Sequence, residues 1–235
     1  MANTYRRRRV VTVILSLLIL GTTLIINRPF EQSTTQAPAT PSRPASSATS
    51  PVIDALKTLA VKGRAPKTDY TREQFGAGWN TMQGCDTRNI ILNRDLTDVQ
   101  VDESCNVIKG TLSDPYTGKV IIFVRGSTTS GDVQIDHVVA LSDAWQTGAQ
   151  LLSKEKRVEL ANDPLELLAV DGPTNQQKSD GDAATWLPPN KAFRCQYVTR
   201  QIAVKQKYAL WVTQAEHDAM QSILQSCLLQ TLPKA

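Results

Sequence analysis

The segment "RRRRVVTVILSLLILGTTLII", residues 6–26, constrains this chain more than any other. An arginine block, Arg6 to Arg9, runs directly into an uncharged and mostly apolar stretch, Val10 to Ile26. That stretch is longer than a typical signal-peptide core and just long enough to cross a bilayer, and the arginines keep its start cytoplasmic. The rest of the chain is therefore expected to be translocated. Residues 1–26 read as a signal peptide or an uncleaved membrane anchor. No clean Ala-x-Ala site follows the run directly, which favours the anchor, with the membrane then a partner of the chain.

Residues 27–51 contain "EQSTTQAPATPSRPASSATSP", rich in Ser, Thr, Pro and Ala. So little apolar surface cannot offset the entropy of ordering, so this stretch reads as a flexible linker. Residues 52–235 are enough for one globular domain, expected extracellular or at the cell surface.

Export makes the cysteines intelligible. Cys85, Cys105, Cys195 and Cys227 show no Cys-x-x-Cys spacing, and the chain has only two histidines. A structural zinc site therefore has little support, and an oxidising compartment points to two disulfides. Three pairings are open; Cys85–Cys105 with Cys195–Cys227 closes the shortest loops.

The formal charge of +4 resides in the N-terminal arginines. From residue 52 onward there are 20 Lys and Arg against 21 Asp and Glu, so the domain is near neutral. A nucleic-acid partner would need a local cationic patch.

Along the domain, residues 52–63 suggest an amphipathic helix, and "TRNIILNRDL" fits either a helix or a buried strand. "CNVIKGTL" and "KVIIFV", separated by "SDPYTG", read as a β-hairpin. "VQIDHVVAL" and "PLELLAV" are strand-like, "SKEKRVELA" and the C-terminal third are helical, and "TQAE" is a capping box. The expected class is α+β, with a β-hairpin and a helical C-terminal extension. Trp79, Trp145, Trp186 and Trp211 read as packing residues. "RGSTTSGD" does not form a Gly-x-Ser-x-Gly elbow, so a serine hydrolase has little support.

The chemistry concentrates in Asp136 and His137. Adjacent strand residues face opposite sides, so at least one of the pair should be exposed or end its strand. Histidine titrates near neutrality and can take a proton from water, while a carboxylate suits a hard divalent cation.

Taken together, "GCDTRNIIL", "GTLSDPYTGK", "IDHVVALSDAW", "LLAVDGPTNQQKSDGDAATWLPP" and "RCQYVTRQIAVKQKYALWV" resemble the HNH endonuclease superfamily, the ββα-metal nucleases. The spacing is similar to the His-Asn-Asn type and to exported HNH-family proteins of actinobacteria. The resemblance implies an HNH-like ββα-metal core and a nuclease cleaving DNA with a divalent ion, Mg²⁺ being the expected one. It places His137 as general base, Asp136 and Asn175 as metal ligands, and Lys178 beside a phosphate. Lys191, Arg194, Arg200 and Lys205 extend that expected cationic patch. One position departs: the family usually has asparagine nine residues before the helix ligand, and here Glu166 stands there. A glutamate would add negative charge near the imidazole and raise its pKa, and Asn162 is a possible substitute. The rival expectation is an HNH scaffold impaired by Glu166, retained as a surface module that binds DNA or another partner.

Overall fold

The computed structural model describes residues 50–227 and 229–233. The signal or anchor at 1–26, and the linker up to residue 49, lie outside them. Among the described residues no helix is long and apolar enough to cross a membrane. Helix α1, Pro51–Thr58, opens with proline at its first turn, where a missing N–H costs nothing. Buried Ser50 and helical Pro51 thus belong to the folded unit rather than to the linker.

A two-residue hairpin, β1 (Thr81–Met82) with β2 (Cys85–Asp86), leads into α2 (Thr87–Asp95). The ambiguous "TRNIIL" run is a helix because Asp86 caps it, accepting a bond from Asn89 N at 2.7 Å. The expected hairpin forms as β4 (Val107–Ser113) and β5 (Val120–Val124), paired antiparallel. A third strand, β3 (Leu96–Val101), completes the sheet in the order β3–β4–β5. Its largely exposed "LTDVQV" sequence lacks the apolar alternation that identifies a half-buried strand.

The centre of the domain is a second, two-stranded antiparallel sheet: β6 (Val133–His137) and β7 (Leu167–Asp171). Between them run two short helices, α3 (Leu141–Gln146) and α4 (Lys154–Asn162). The chain leaves β7 directly into α5 (Gly172–Lys178). "DGPT" forces that start: Asp171 accepts from Thr174 N at 2.8 Å, and Pro173 sits in the first turn. Gly172 is required by contact, since a Cβ there would lie 2.0 Å from Gly131 O.

This small sheet separates two apolar clusters. Val133, Ile135, Leu167 and Ala169 face the three-stranded sheet and α2. Leu168 and Val170 face the larger cluster, built with α1, α3, α6 (Arg194–Lys207) and α7 (Gln214–Leu224). Burial on both faces explains the unbroken apolar run "LLAV". The capping box holds, with Thr213 Oγ1 accepting from Glu216 N at 3.1 Å. The disulfides are Cys85–Cys105 and Cys195–Cys227. On the chain-entropy model each loop closure stabilises by about 3–4 kcal/mol.

The larger cluster contains charge. Lys205 is fully buried, with Nζ 3.2 Å from Asp143 Oδ2 and 3.0 Å from Glu216 Oε1. Arg64 extends the network to Asp143 Oδ1 and Asp182 Oδ2, each at 2.7 Å. Burial outweighs the pull of Lys205 and raises the Glu216 carboxyl from 4.5 to about 7. A raised folded pKa means stability present below the unfolded value and lost as pH climbs through the folded one. Glu216→Gln should remove that dependence. The stability difference between wild type and variant, from urea midpoints, should therefore fall by a few kcal/mol between about pH 5 and 7. A difference that stays constant across this range would contradict the assignment.

Candidate active site

Asp136 and His137 end β6 and point to its two sides. Both are buried, at 5% and 6% exposure, so the expectation that one is exposed or ends its strand is met only through His137 as the last strand residue. Arg88 steadies the approach to β6, donating to Ser130 O at 3.2 Å and Val133 O at 3.1 Å.

On one side the His137 ring stacks on Trp79, with centroids 5.7 Å apart and planes within 7°. Its Nε2 lies 2.9 Å from Ala161 O, a carbonyl in the last turn of α4 that has no intrahelical donor to receive. A carbonyl can only accept, so Nε2 carries the proton and Nδ1 keeps its lone pair. Burial lowers the imidazole pKa to about 3, so the ring is neutral at physiological pH. This overturns the expectation of a raised value. Burial pushes the Glu166 carboxyl well above the usual range, which disfavours its charged form. Its Oε2 accepts from Val139 N at 3.2 Å, while its buried Oε1 has no partner among the described residues. Nor does Asn162 orient the ring. Its Oδ1 accepts from Asn80 N at 2.8 Å and its Nδ2 donates to Val158 O at 3.0 Å, pinning the loop that follows Trp79.

On the other side, Asp136 meets α5. Its Oδ1 is 2.8 Å from Lys178 Nζ, and its Oδ2 accepts from the buried Tyr116 hydroxyl. Lys178 also donates to His137 O at 2.7 Å, and its side chain has no exposed surface. Lys178 is therefore a buried partner of Asp136, not a phosphate contact at the surface. Of the other cations expected in that patch, Lys191 is exposed and three have partners within the fold. Lys205 is buried in the core network, Arg200 Nε donates to Leu165 O at 2.7 Å, and Arg194 Nε donates to Pro188 O at 2.8 Å.

Asn175 Nδ2 donates to Gln134 Oε1 at 2.9 Å, and its side-chain oxygen receives no donor among the described residues. Asp136, His137 and Asn175 jointly line a polar cavity of about 320 Å³, together with Arg72, Ser142 and Asp180. A second cavity, of about 190 Å³, reaches His137 from the side of Trp79 and shares Arg72 and Leu141 with the first. Among the described residues no three His, Cys, Asp or Glu side chains converge as a metal cage. A carboxylate plus a carboxamide nevertheless fits a hard ion such as Mg²⁺, which takes one or two protein oxygens and keeps water and phosphate oxygens around it. Asp136 has about four lone-pair sites, of which Lys178 and Tyr116 occupy two.

Tyr116, Trp79 and Arg72 escaped the sequence reading. Tyr116 was legible only as part of the turn "SDPYTG", and Trp79 only as an apolar residue after two glycines. Neither carries a spacing signal, because each reaches the site through tertiary packing.

Residues 86–223 match the family described as GmrSD restriction endonucleases, C-terminal domain. That span includes Asp136, His137, Glu166, Asn175 and Lys178 and begins after Arg72 and Trp79. An uncharacterised secreted protein of Arthroderma benhamiae is 40% identical over 175 residues, covering 73% of this chain and 82% of its own length.

Proposed function

The chain belongs to the family of the C-terminal domain of GmrSD restriction endonucleases, and on that premise we propose that it is an exported, metal-dependent, HNH-type endonuclease hydrolysing phosphodiester bonds of DNA. The observation that carries this proposal is the cavity lined jointly by Asp136, His137 and Asn175. The succession β6, β7, α5 is then the ββα-metal core. Export is supported by the arginine block with its apolar run, by two disulfides, and by a relative described as secreted.

Nδ1 of His137 takes the proton of a water molecule, whose oxygen attacks phosphorus as the bond to the leaving 3′ oxygen breaks, and that oxygen takes a proton from solvent water. The products are a 5′-phosphate and a 3′-hydroxyl. Ala161 O holds the Nε2 proton, so the imidazole presents its basic nitrogen, and Trp79 fixes the ring plane. Asp136 and Asn175 are the residues that would hold Mg²⁺ or a similar ion. When bound, that ion supplies positive charge to the phosphate and to the leaving oxygen. Lys178 and Tyr116 position Asp136.

A supercoiled plasmid incubated with the purified protein and Mg²⁺ should be nicked, and EDTA should stop the reaction. Glu166 favours one rival, since its buried, half-satisfied carboxyl, with its pKa pushed up by burial, stands where the HNH resemblance calls for asparagine. DNA binding without cleavage under any divalent ion would select that rival, an impaired HNH scaffold.

A further inference from the structure

We propose that Arg72, exposed and lining both cavities that flank His137, is the residue that seizes the substrate phosphate. The inference rests on the nuclease proposal and assigns a residue outside the span shared with the family.

An anionic backbone must be held against a domain whose charges nearly cancel. Most of the cations expected to do this are committed elsewhere, Lys178 to Asp136, Lys205 to Asp143 and Glu216, Arg194 and Arg200 to backbone carbonyls, while the exposed Lys191 lines neither cavity beside His137. Two cations line the cavity shared by Asp136, His137 and Asn175. One, Lys67, is paired with Asp180 at 3.1 Å. The other, Arg72, makes no side-chain hydrogen bond or ion pair with any described residue. It is exposed, and it lines both cavities.

A guanidinium offers five donors in a planar fork that matches two phosphate oxygens, and left unpaired it needs no partner displaced before binding. A phosphate gripped there shares its cavity with His137, and its phosphorus would meet the water that His137 deprotonates. The neighbouring phosphates of the same strand would follow the two cavities on either side.

The test uses a fluorescein-labelled DNA duplex in EDTA, so that binding is read by anisotropy without cleavage. Arg72→Ala should weaken Kd about tenfold, Arg72→Lys less, and the slope of log Kd against log salt should drop by about one. Thermal midpoints should not move, because the guanidinium pairs with no described residue. Unchanged affinity and salt slope in Arg72→Ala, with wild type binding normally, would overturn the assignment. Parallel cleavage of plasmid by wild type with Mg²⁺ reports on the nuclease proposal separately. Cleavage by wild type with no effect of Arg72→Ala removes only Arg72. Weakened binding in a protein that never cleaves keeps Arg72 as the anion contact and removes the nuclease. A wild type that neither binds nor cleaves removes both.

Discussion

His137→Ala should lower the rate of Mg²⁺-dependent DNA cleavage by about 10²–10⁴, the range that a positioned general base contributes. The expectation follows from how the ring is held. Nε2 is committed to Ala161 O, the ring plane is set by Trp79, and burial keeps the imidazole neutral, with a pKa of about 3. A neutral ring with its second nitrogen unprotonated has a lone pair to offer the proton of a water molecule. The substitution also strips Ala161 O of its donor, at a cost of about 1–3 kcal/mol. Circular dichroism and a urea midpoint therefore belong with the kinetics. Added imidazole separates the two effects. Diffusing into the cavity of about 190 Å³ beside Trp79, it should restore part of the rate without restoring stability. Cleavage by His137→Ala at the wild-type rate would remove the imidazole from the chemistry.

The difference between what could be read from the chain and what required the structure is physical. Strand β6, the hairpin β4–β5 and the capped helix α7 were legible because each is dictated by short-range rules: alternation, a Pro-Gly turn, a Thr-x-x-Glu cap. Strand β3 was not, because its pairing with β4 depends on backbone partners rather than on apolar alternation. The site divides the same way. Asp136, His137 and Asn175 were recognisable from their motifs, and the fold brings them to one cavity. The direction each charged side chain takes was not recognisable. Lys178 reads as a surface cation near a helix end, yet the last turn of α5 lies against β6 and turns its amine inward to Asp136. Glu166 reads as an anion, yet complete burial with one backbone partner pushes its pKa well above the usual carboxylate range. Which charges are desolvated is set by packing between elements distant in sequence, and no local pattern encodes it.

Lys178 yields the largest expected loss of stability. Its ammonium has no exposed surface and sits 2.8 Å from Asp136 Oδ1, while the Asp136 side chain is itself only 7% exposed. Lys178→Met keeps most of the side-chain volume and removes the charge, leaving a buried carboxylate with Tyr116 as its one remaining side-chain donor. Breaking such a pair costs about 3–5 kcal/mol, a large share of the roughly 5–15 kcal/mol that holds a domain folded. The urea midpoint should fall accordingly. Removing both charges should recover most of the loss, since a buried ion pair exchanged for apolar groups of similar volume is often close to neutral. The double variant Lys178→Met, Asp136→Leu should therefore be more stable than Lys178→Met alone, though without the carboxylate that the proposed metal site requires. A surface phosphate contact behaves in the opposite way: truncating it moves stability by no more than about 0.5 kcal/mol and weakens DNA binding instead. A Lys178→Met protein with an unshifted urea midpoint and weaker DNA affinity would return Lys178 to the surface and leave Asp136 without its partner.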